Sequence, residues 1–279
     1  RHGDARPGQP PLLLLHGWPE YWLGWRKVMP LLGKSFALLA PDLRGFGATG
    51  KEGRAPSRDV GPDRHATDML GLLDALGLAK VGIVSHDVGA YVAQVMARKA
   101  PERITGLYFF DCPYPGIGRR WAAPGHIGEI WYQTFNQQPW AAELVGSSRA
   151  NVALYIGNVL RHWSHRKDAF DADLDSWMDN YAWPGNLQGG FDWYGSVAES
   201  RLATIEERAP HPGVVGVPTR VFWGRHDPVL KAEWTDRLGE YFSDLRVDIF
   251  EGAGHFPHME EPERAAEDIR AFFAEIVRR

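Results

Sequence analysis

The stretch Val81-Gly82-Ile83-Val84-Ser85-His86-Asp87-Val88-Gly89-Ala90-Tyr91 reads as two elements joined by a sharp turn. Its first residues form a short apolar run with β-branched members, the pattern of a parallel strand buried on both faces. Its continuation, Tyr91-Val92-Ala93-Gln94-Val95-Met96-Ala97, reads as a helix. Two small residues, Ser85 and Gly89, stand two places either side of Asp87. A strand-to-helix turn that holds one side chain in a strained pose admits only small neighbours, so this spacing marks a nucleophile elbow centred on Asp87. Ser85 is a poor centre, because its own flanking positions are Ile83 and Asp87. Nor can Ser85, His86 and Asp87 act as a set, since consecutive side chains at a turn diverge. Elbows of this kind usually carry serine; aspartate here predicts a carboxylate nucleophile. The plainer alternative is a strand-turn-helix whose acidic residue only caps the helix.

Strand and helix patterns continue on both sides. Leu12 to Leu15 reads as a buried strand ending in His16-Gly17-Trp18-Pro19-Glu20, a loop with free backbone N–H groups at the sheet's edge. Trp22, Trp25 and Val28 suggest a helix, Phe36 to Ala40 a second strand, and Pro41 to Gly47 a loop. Residues 48–62 are polar and rich in Gly and Pro, a surface loop. Asp63 to Leu76 places Met69, Leu70, Leu73 and Leu76 on one helical face and stops at Gly77. Beyond the elbow, Ile104 to Phe110 is a strand ending at Asp111-Cys112-Pro113. Alternation then stops until the strand Val217 to Gly224, which runs into Arg225-His226-Asp227-Pro228. A helix over 232–242, a strand over 247–250, the loop Gly252-Ala253-Gly254-His255-Phe256 and a helix over 262–277 follow. The expectation is an α/β protein: a mostly parallel sheet with helices on both faces. Residues 1–112 and 199–279 would form its core, and 113–198, with seven of the twelve tryptophans, a helical lid.

Composition narrows the setting. The 279 residues suffice for a large core, and a net charge of −4 with no basic stripe argues against nucleic acid. The single cysteine, Cys112, allows no internal disulfide and fits a reducing, cytoplasmic compartment. No apolar run approaches the roughly 20 residues of a membrane helix, and Pro10 to Leu15 is too short for a signal segment. The chain begins at Arg1 and reaches a core strand almost at once, so a preceding segment is expected. No motif implies a cofactor. His162 and His165 are three apart with no third ligand evident, so no metal site is expected. The partners expected are a small-molecule substrate and water, with a homodimer left open.

Asp87, Asp227 and His255 follow one another at strand ends. That is the nucleophile-acid-histidine order of one enzyme architecture, and the loops at the carboxyl ends of a parallel sheet converge where ligands bind. Singly, Asp227 before Pro228 could be a turn and His255 a loop histidine; jointly they point to a catalytic set.

With His16-Gly17-Trp18-Pro19, Asp42-Leu43-Arg44-Gly45-Phe46-Gly47, Ser85-His86-Asp87-Val88-Gly89, Gly224-Arg225-His226-Asp227 and Gly254-His255, the chain resembles the α/β-hydrolase superfamily over essentially its whole length. Within it the resemblance is to the aspartate-nucleophile branch of epoxide hydrolases and dehalogenases. Trp131-Tyr132-Gln133-Thr134-Phe135-Asn136-Gln137-Gln138-Pro139 is similar to the epoxide-hydrolase lid segment that supplies a first ring-opening tyrosine, and Phe191-Asp192-Trp193-Tyr194 to the second. The resemblance therefore implies that Tyr132 and Tyr194 sit over Asp87. It also implies an oxyanion hole from the backbone N–H groups of Trp18 and Val88, and relay of His255 by Asp227, or by Asp111 as in some members. The substrate side is expected to include His16, Trp131, Gln133 and Phe256, with two or three tryptophans, Trp18 and Trp131 among them, lining an apolar or aromatic site.

Dehalogenases are the alternative. The haloacetate type places arginines one and four residues after the nucleophile, where this chain has Val88 and Tyr91, and a His-Trp pair where it has Tyr132-Gln133. The haloalkane type typically has tryptophan after the nucleophile and asparagine after the first His-Gly, where this chain has Val88 and Trp18. A non-catalytic binding protein would have no need of the complete set.

Overall fold

A computed structural model describes residues 2–3, 8–50 and 59–278. The middle of the polar loop expected over 48–62, residues 51–58, lies outside them.

Six strands form one sheet: β1 (Leu12–Leu15), β2 (Leu38–Leu39), β3 (Val81–His86), β4 (Ile104–Phe110), β5 (Thr219–Gly224) and β6 (Leu245–Phe250). Their order is β2-β1-β3-β4-β5-β6, and every pairing is parallel. The chain steps outward from β1 to β2 and then returns to place β3 on the other side of β1. The loops after β1 and β3 therefore diverge around one crevice, where open parallel sheets bind ligands. The second strand is only two residues long, shorter than Phe36 to Ala40 suggests; beyond β1 it meets only an isolated antiparallel bridge from His2 to Leu38 among the described residues.

The continuous apolar runs of β1 and β3 are buried throughout because both faces are covered. Alternate residues go to opposite sides. Leu13, Leu15 and Ile83 join one apolar cluster, Leu12, Leu14 and Val84 the other. The helices are α1 (Met29–Leu32), α2 (Pro62–Ala75), α3 (Val88–Lys99), α4 (Trp131–Phe135), α5 (Ala141–Gly146), α6 (Arg149–Trp163), α7 (Leu174–Ala182), α8 (Asn186–Ile205), α9 (Pro257–Glu260) and α10 (Pro262–Arg278). The helical reading of Trp22 to Val28 becomes a 3₁₀ turn over Trp22–Trp25 followed by α1, and that of 232–242 a 3₁₀ segment over Ala232–Glu240.

Helices α4 to α8 all fall between β4 and β5. The last of them, α8, runs unbroken to Ile205, so the boundary expected at 198 falls inside a helix. Its Gly189 lies so close to the backbone of Gly45 that a Cβ on it would collide with the Gly45 carbonyl. This glycine pair brings α8 down onto the loop after β2.

Candidate active site

The elbow is built by backbone constraint. Asp87 has φ 46° and ψ −111°, a conformation that L-residues rarely adopt and that surrounding structure must hold. A Cβ on Gly89 would drive into the Leu15 carbonyl, and one on Gly17 would lie 2.7 Å from the Asp87 Cβ. Glycine at both positions lets the β1 and β3 loops close on each other. The Trp18 N–H then donates to Asp87 Oδ1 at 3.0 Å. Val88 opens α3, and the first N–H groups of a helix have no partner within it, so this one is available at the crevice.

His255 is wholly buried, and its Nδ1 lies 2.7 Å from Asp227 Oδ2. The other oxygen, Oδ1, accepts from the N–H groups of Val229 and Leu230 at 2.7 and 2.9 Å, which fixes the carboxylate plane. Burial disfavours the charged form of His255, but Asp227, by charge and hydrogen bond, outweighs it and raises the histidine above its ordinary value. The Nε2 of His255 makes no hydrogen bond among the described residues and is the nitrogen left to act.

Asp111, the alternative acid, stands at the end of β4 with φ 41°. Its Oδ1 accepts from the Gly224 N–H at 2.9 Å, and its Oδ2 has no partner among the described residues. Burial, reinforced by Asp227, pushes its carboxyl well above the usual range.

Tyr132, from α4, and Tyr194, from α8, line the same cavity as Asp87, a space of about 280 Å³. Trp18 organises them. Tyr132 stacks on its ring at 5.3 Å, nearly parallel; Tyr194 meets it edge-on at 5.3 Å; and the two tyrosines stand perpendicular, 5.5 Å apart. The Gln133 amide donates to the Tyr132 hydroxyl at 3.0 Å, leaving that hydroxyl's proton free to donate onward. Burial raises both phenols, so each is a neutral donor near neutrality.

Four expectations for the substrate side come out differently. Gln133 does line the cavity with Val88, whereas Trp131, His16 and Phe256 do not. Trp131 is half exposed and packs on Phe135 and Tyr155, because adjacent helical residues point about 100° apart and Tyr132 takes the inward direction. His16 is buried, its Nε2 accepting from the Leu43 N–H at 3.0 Å, and so ties β1 to the loop after β2. Phe256 is fully buried, edge-on to His255. Trp18 supports Tyr132 from outside the cavity wall, and the tryptophans on the wall are Trp121 and Trp193.

One assembly was not foreseen. Glu20, wholly buried, takes the Gly17 N–H at 3.0 Å and the His86 Nδ1 at 2.7 Å on Oε2, and His258 Nε2 at 2.7 Å on Oε1. The other nitrogen of His86 lies 2.7 Å from the His255 carbonyl. Both ring nitrogens of His86 thus face oxygens. Burial opposes ionisation of Glu20, yet the two imidazoles hold its carboxyl well below the ordinary value. The cluster joins the β1 loop, the elbow and the His255 loop. Ligand atoms of Glu20, His86 and His258 also come within 4.8 Å of one another, close enough for a metal ion, but each Glu20 oxygen already has an imidazole partner. His162 and His165 diverge: one bonds Glu129 at 2.7 Å, the other stacks on His226. Glu260 was missed too; its Oε1 accepts from the Gly254 and Phe256 N–H groups at 3.0 and 3.2 Å and clasps the His255 loop.

A parallel sheet with an elbow after its third strand, an acid after its fifth and a histidine after its sixth narrows the possibilities, and a family model described as the alpha/beta hydrolase fold matches residues 10–262. The chain belongs to that family. Its similarity there runs to epoxide hydrolases. Soluble epoxide hydrolase of Corynebacterium sp. (strain C12) is 29% identical over 275 residues, 95% of this chain and 91% of the relative. Epoxide hydrolase 4 of Homo sapiens is 27% identical over 284 residues, 98% of this chain and 74% of the relative. The solved structure of epoxide hydrolase CorEH without ligand has a TM-score of 0.79 at 25% identity, covering 99% of this chain and 93% of that one. The protein is therefore a hydrolase, and no helix among its described residues is long and apolar enough to cross a membrane.

Proposed function

We propose that this hydrolase opens an epoxide to a vicinal diol through a covalent ester of Asp87. The observation that carries the reading is the pair of phenols, Tyr132 and Tyr194, held against Trp18 on the cavity that Asp87 faces. An epoxide needs a nucleophile at carbon and a proton at oxygen. Asp87 attacks a ring carbon, the C–O bond breaks, and the ring oxygen takes a proton from one tyrosine while the other holds it by hydrogen bond. General acid help of this kind is worth roughly 100- to 10,000-fold. The phenols suit the task because they stay neutral until the alkoxide forms.

The resulting hydroxyalkyl ester offers water a carbonyl. His255 Nε2 removes a proton from that water, with Asp227 holding the ring by its Nδ1–H. The oxyanion forms between the backbone N–H groups of Trp18 and Val88, each worth on the order of 100- to 1,000-fold. On collapse the departing diol oxygen takes the proton held by His255, the regenerated Asp87 carboxyl releases its proton to solvent, and the tyrosine recovers one from solvent. Aspartate fits where serine would not, because attack is at saturated carbon and the carboxylate needs no base. Residues 113–198 act in this reading as the cap that brings the phenols over the core.

The test is intact-mass spectrometry of the His255→Gln variant, which forms the ester but cannot hydrolyse it. A mass gain equal to styrene oxide supports the reading. A gain equal to chloroacetate less hydrogen chloride would move halide displacement to first place. No adduct from either, nor from aliphatic epoxides, would overturn the role of Asp87.

A further inference from the structure

A second cavity, of about 310 Å³, lies where α7 and the start of α8 meet the loops after β1 and β2, and it shares no lining residue with the one that Asp87 faces. Tyr21 and Trp22 come to it from the loop after β1 and Asp42 from the loop after β2. Asp179 comes from α7, Trp183 from the turn that follows, and Asn186 from the first residue of α8. The two sides are tied together by the Tyr21 hydroxyl, which donates to the Ser176 carbonyl at 3.2 Å, and by the Tyr21 ring, edge-on to Trp177 at 5.2 Å.

Three properties of this wall point to one kind of guest. Its charge is negative: among the described residues no Lys, Arg or His lines it, and two carboxylates do. Asp42 takes one backbone N–H on each oxygen, from Trp22 at 2.7 Å and Ala48 at 2.8 Å, and no Lys or Arg pairs with it among the described residues, so it keeps acceptor capacity. Asp179 pairs with Arg149, which stands off the wall. Burial raises the Tyr21 phenol, and the charges of Asp42 and Asp179 push it further the same way. Its aromatic surface is open: Trp22 is 41% and Trp183 68% exposed, and an indole face attracts cations. Its buried amide lacks a donor. Asn186 is 2% exposed, and its nitrogen gives both hydrogens to Asn180, to the main-chain carbonyl at 2.7 Å and the side-chain oxygen at 3.0 Å. That fixes which end of the amide is the oxygen, and this Oδ1 is buried with no partner among the described residues.

We infer that this cavity binds a small organic cation, a primary ammonium on a hydrocarbon stem, with the stem against Trp22 and Trp183 and the N–H groups toward Asp42 and Asn186. An anion would meet two carboxylates, and a bare inorganic ion would leave both indoles in water. The site stands apart from the catalytic cavity and does not depend on the epoxide reading.

Calorimetric titration of the whole chain with hexylammonium at fixed ionic strength tests this, with hexanol as the uncharged match. One hexylammonium should bind per chain with a Kd on the order of 1 mM or tighter, and hexanol at least about tenfold more weakly. Trp183→Ala, at an exposed position, should leave the melting temperature unchanged and weaken hexylammonium by about 3- to 30-fold, the worth of a cation on an indole. Asp42→Asn should erase the preference over hexanol; because Asp42 also orders two backbone groups, Trp183→Ala is the deciding variant. Nα-acetyl-lysine amide identifies the source: affinity equal to hexylammonium means a lysine side chain, weaker affinity a free amine, and both sustain the site. Absence of saturable binding, equal binding of hexanol by the wild type, or hexylammonium affinity unchanged in Trp183→Ala would overturn it, and loss of that binding in Asp87→Asn would assign the cation to the catalytic cavity instead.

Discussion

Replacing Asp227 with asparagine separates the two halves of the proposed reaction. The amide is nearly isosteric, and its oxygen can keep the two bonds now made by Oδ1, from the Val229 and Leu230 N–H groups at 2.7 and 2.9 Å. The nitrogen then falls where Oδ2 now faces His255 Nδ1 at 2.7 Å. Two donors cannot bond, so the imidazole moves its proton to Nε2, the nitrogen needed as base. In a well-studied protease triad the same change of tautomer costs about 10,000-fold. Hydrolysis of the Asp87 ester should accordingly slow by about 1,000- to 10,000-fold, while ester formation, which uses no base, should fall less than tenfold. Rapid-quench single turnovers read by intact mass would show the adduct accumulating to nearly one per chain. The pH profile adds a sign. His255 must be neutral to act, and its value in the folded protein is raised above the ordinary 6.5 by Asp227 against burial. The acidic limb of wild-type ester hydrolysis should therefore lie above pH 6.5 and move down in Asp227→Asn. The same shift means that the pair's contribution to stability is fully present below the unfolded value and is lost as pH rises through the folded one. Refutation would be an ester that turns over normally in Asp227→Asn, or one that is trapped more firmly in Asp111→Asn.

Three further outcomes follow from the same geometry. Tyr132→Phe should slow adduct formation by about 100-fold without slowing its hydrolysis, and a stopped-flow comparison with the wild type would separate the two steps. Glu20→Gln removes the charge that holds two buried imidazoles and should cost about 3 kcal/mol in urea unfolding. Because its folded value is depressed, that stabilisation is present above the ordinary carboxylate value and fades as pH falls through the folded one, so the variant's stability should depend less on acid than the wild type's. Gly89→Ala would press a methyl into the Leu15 carbonyl, and circular dichroism should show either a melting temperature lowered by several degrees or loss of fold; an unchanged melting curve with full activity would mean that the elbow tolerates Cβ there.

The elbow could be read from eleven consecutive residues because its constraint is local: the turn at Asp87 dictates what stands two places away. The parallel sheet followed from alternation, which is also local. The Glu20–His86–His258 assembly was not legible, because its members lie 66 and 238 residues from Glu20 and meet only once β1 and β3 are neighbours. A signal existed in hindsight: a glutamate directly after His-Gly-Trp-Pro has no solvent to face if that loop packs against the elbow. The tryptophans misled for a different reason. Whether Trp121 or Trp131 faces the cavity depends on the rotation of short helices, and neither periodicity nor composition encodes rotation.

The crevice gathers four carboxyl groups, and the way each is neutralised assigns their parts. Glu20 is met by two imidazoles and the Gly17 N–H, all buried, so its charge is held in place. Asp227 is met by His255 and two backbone donors. Asp111 has one backbone donor, from Gly224, and burial pushes its carboxyl well above the usual range. That leaves Asp87, which has the Trp18 N–H on one oxygen and opens onto the cavity. The nucleophile of the proposed reaction must reach its substrate and not be locked in an ion pair. Of the four, only Asp87 combines those conditions, and the strained turn that presents it is the feature on which the reading of the sequence began.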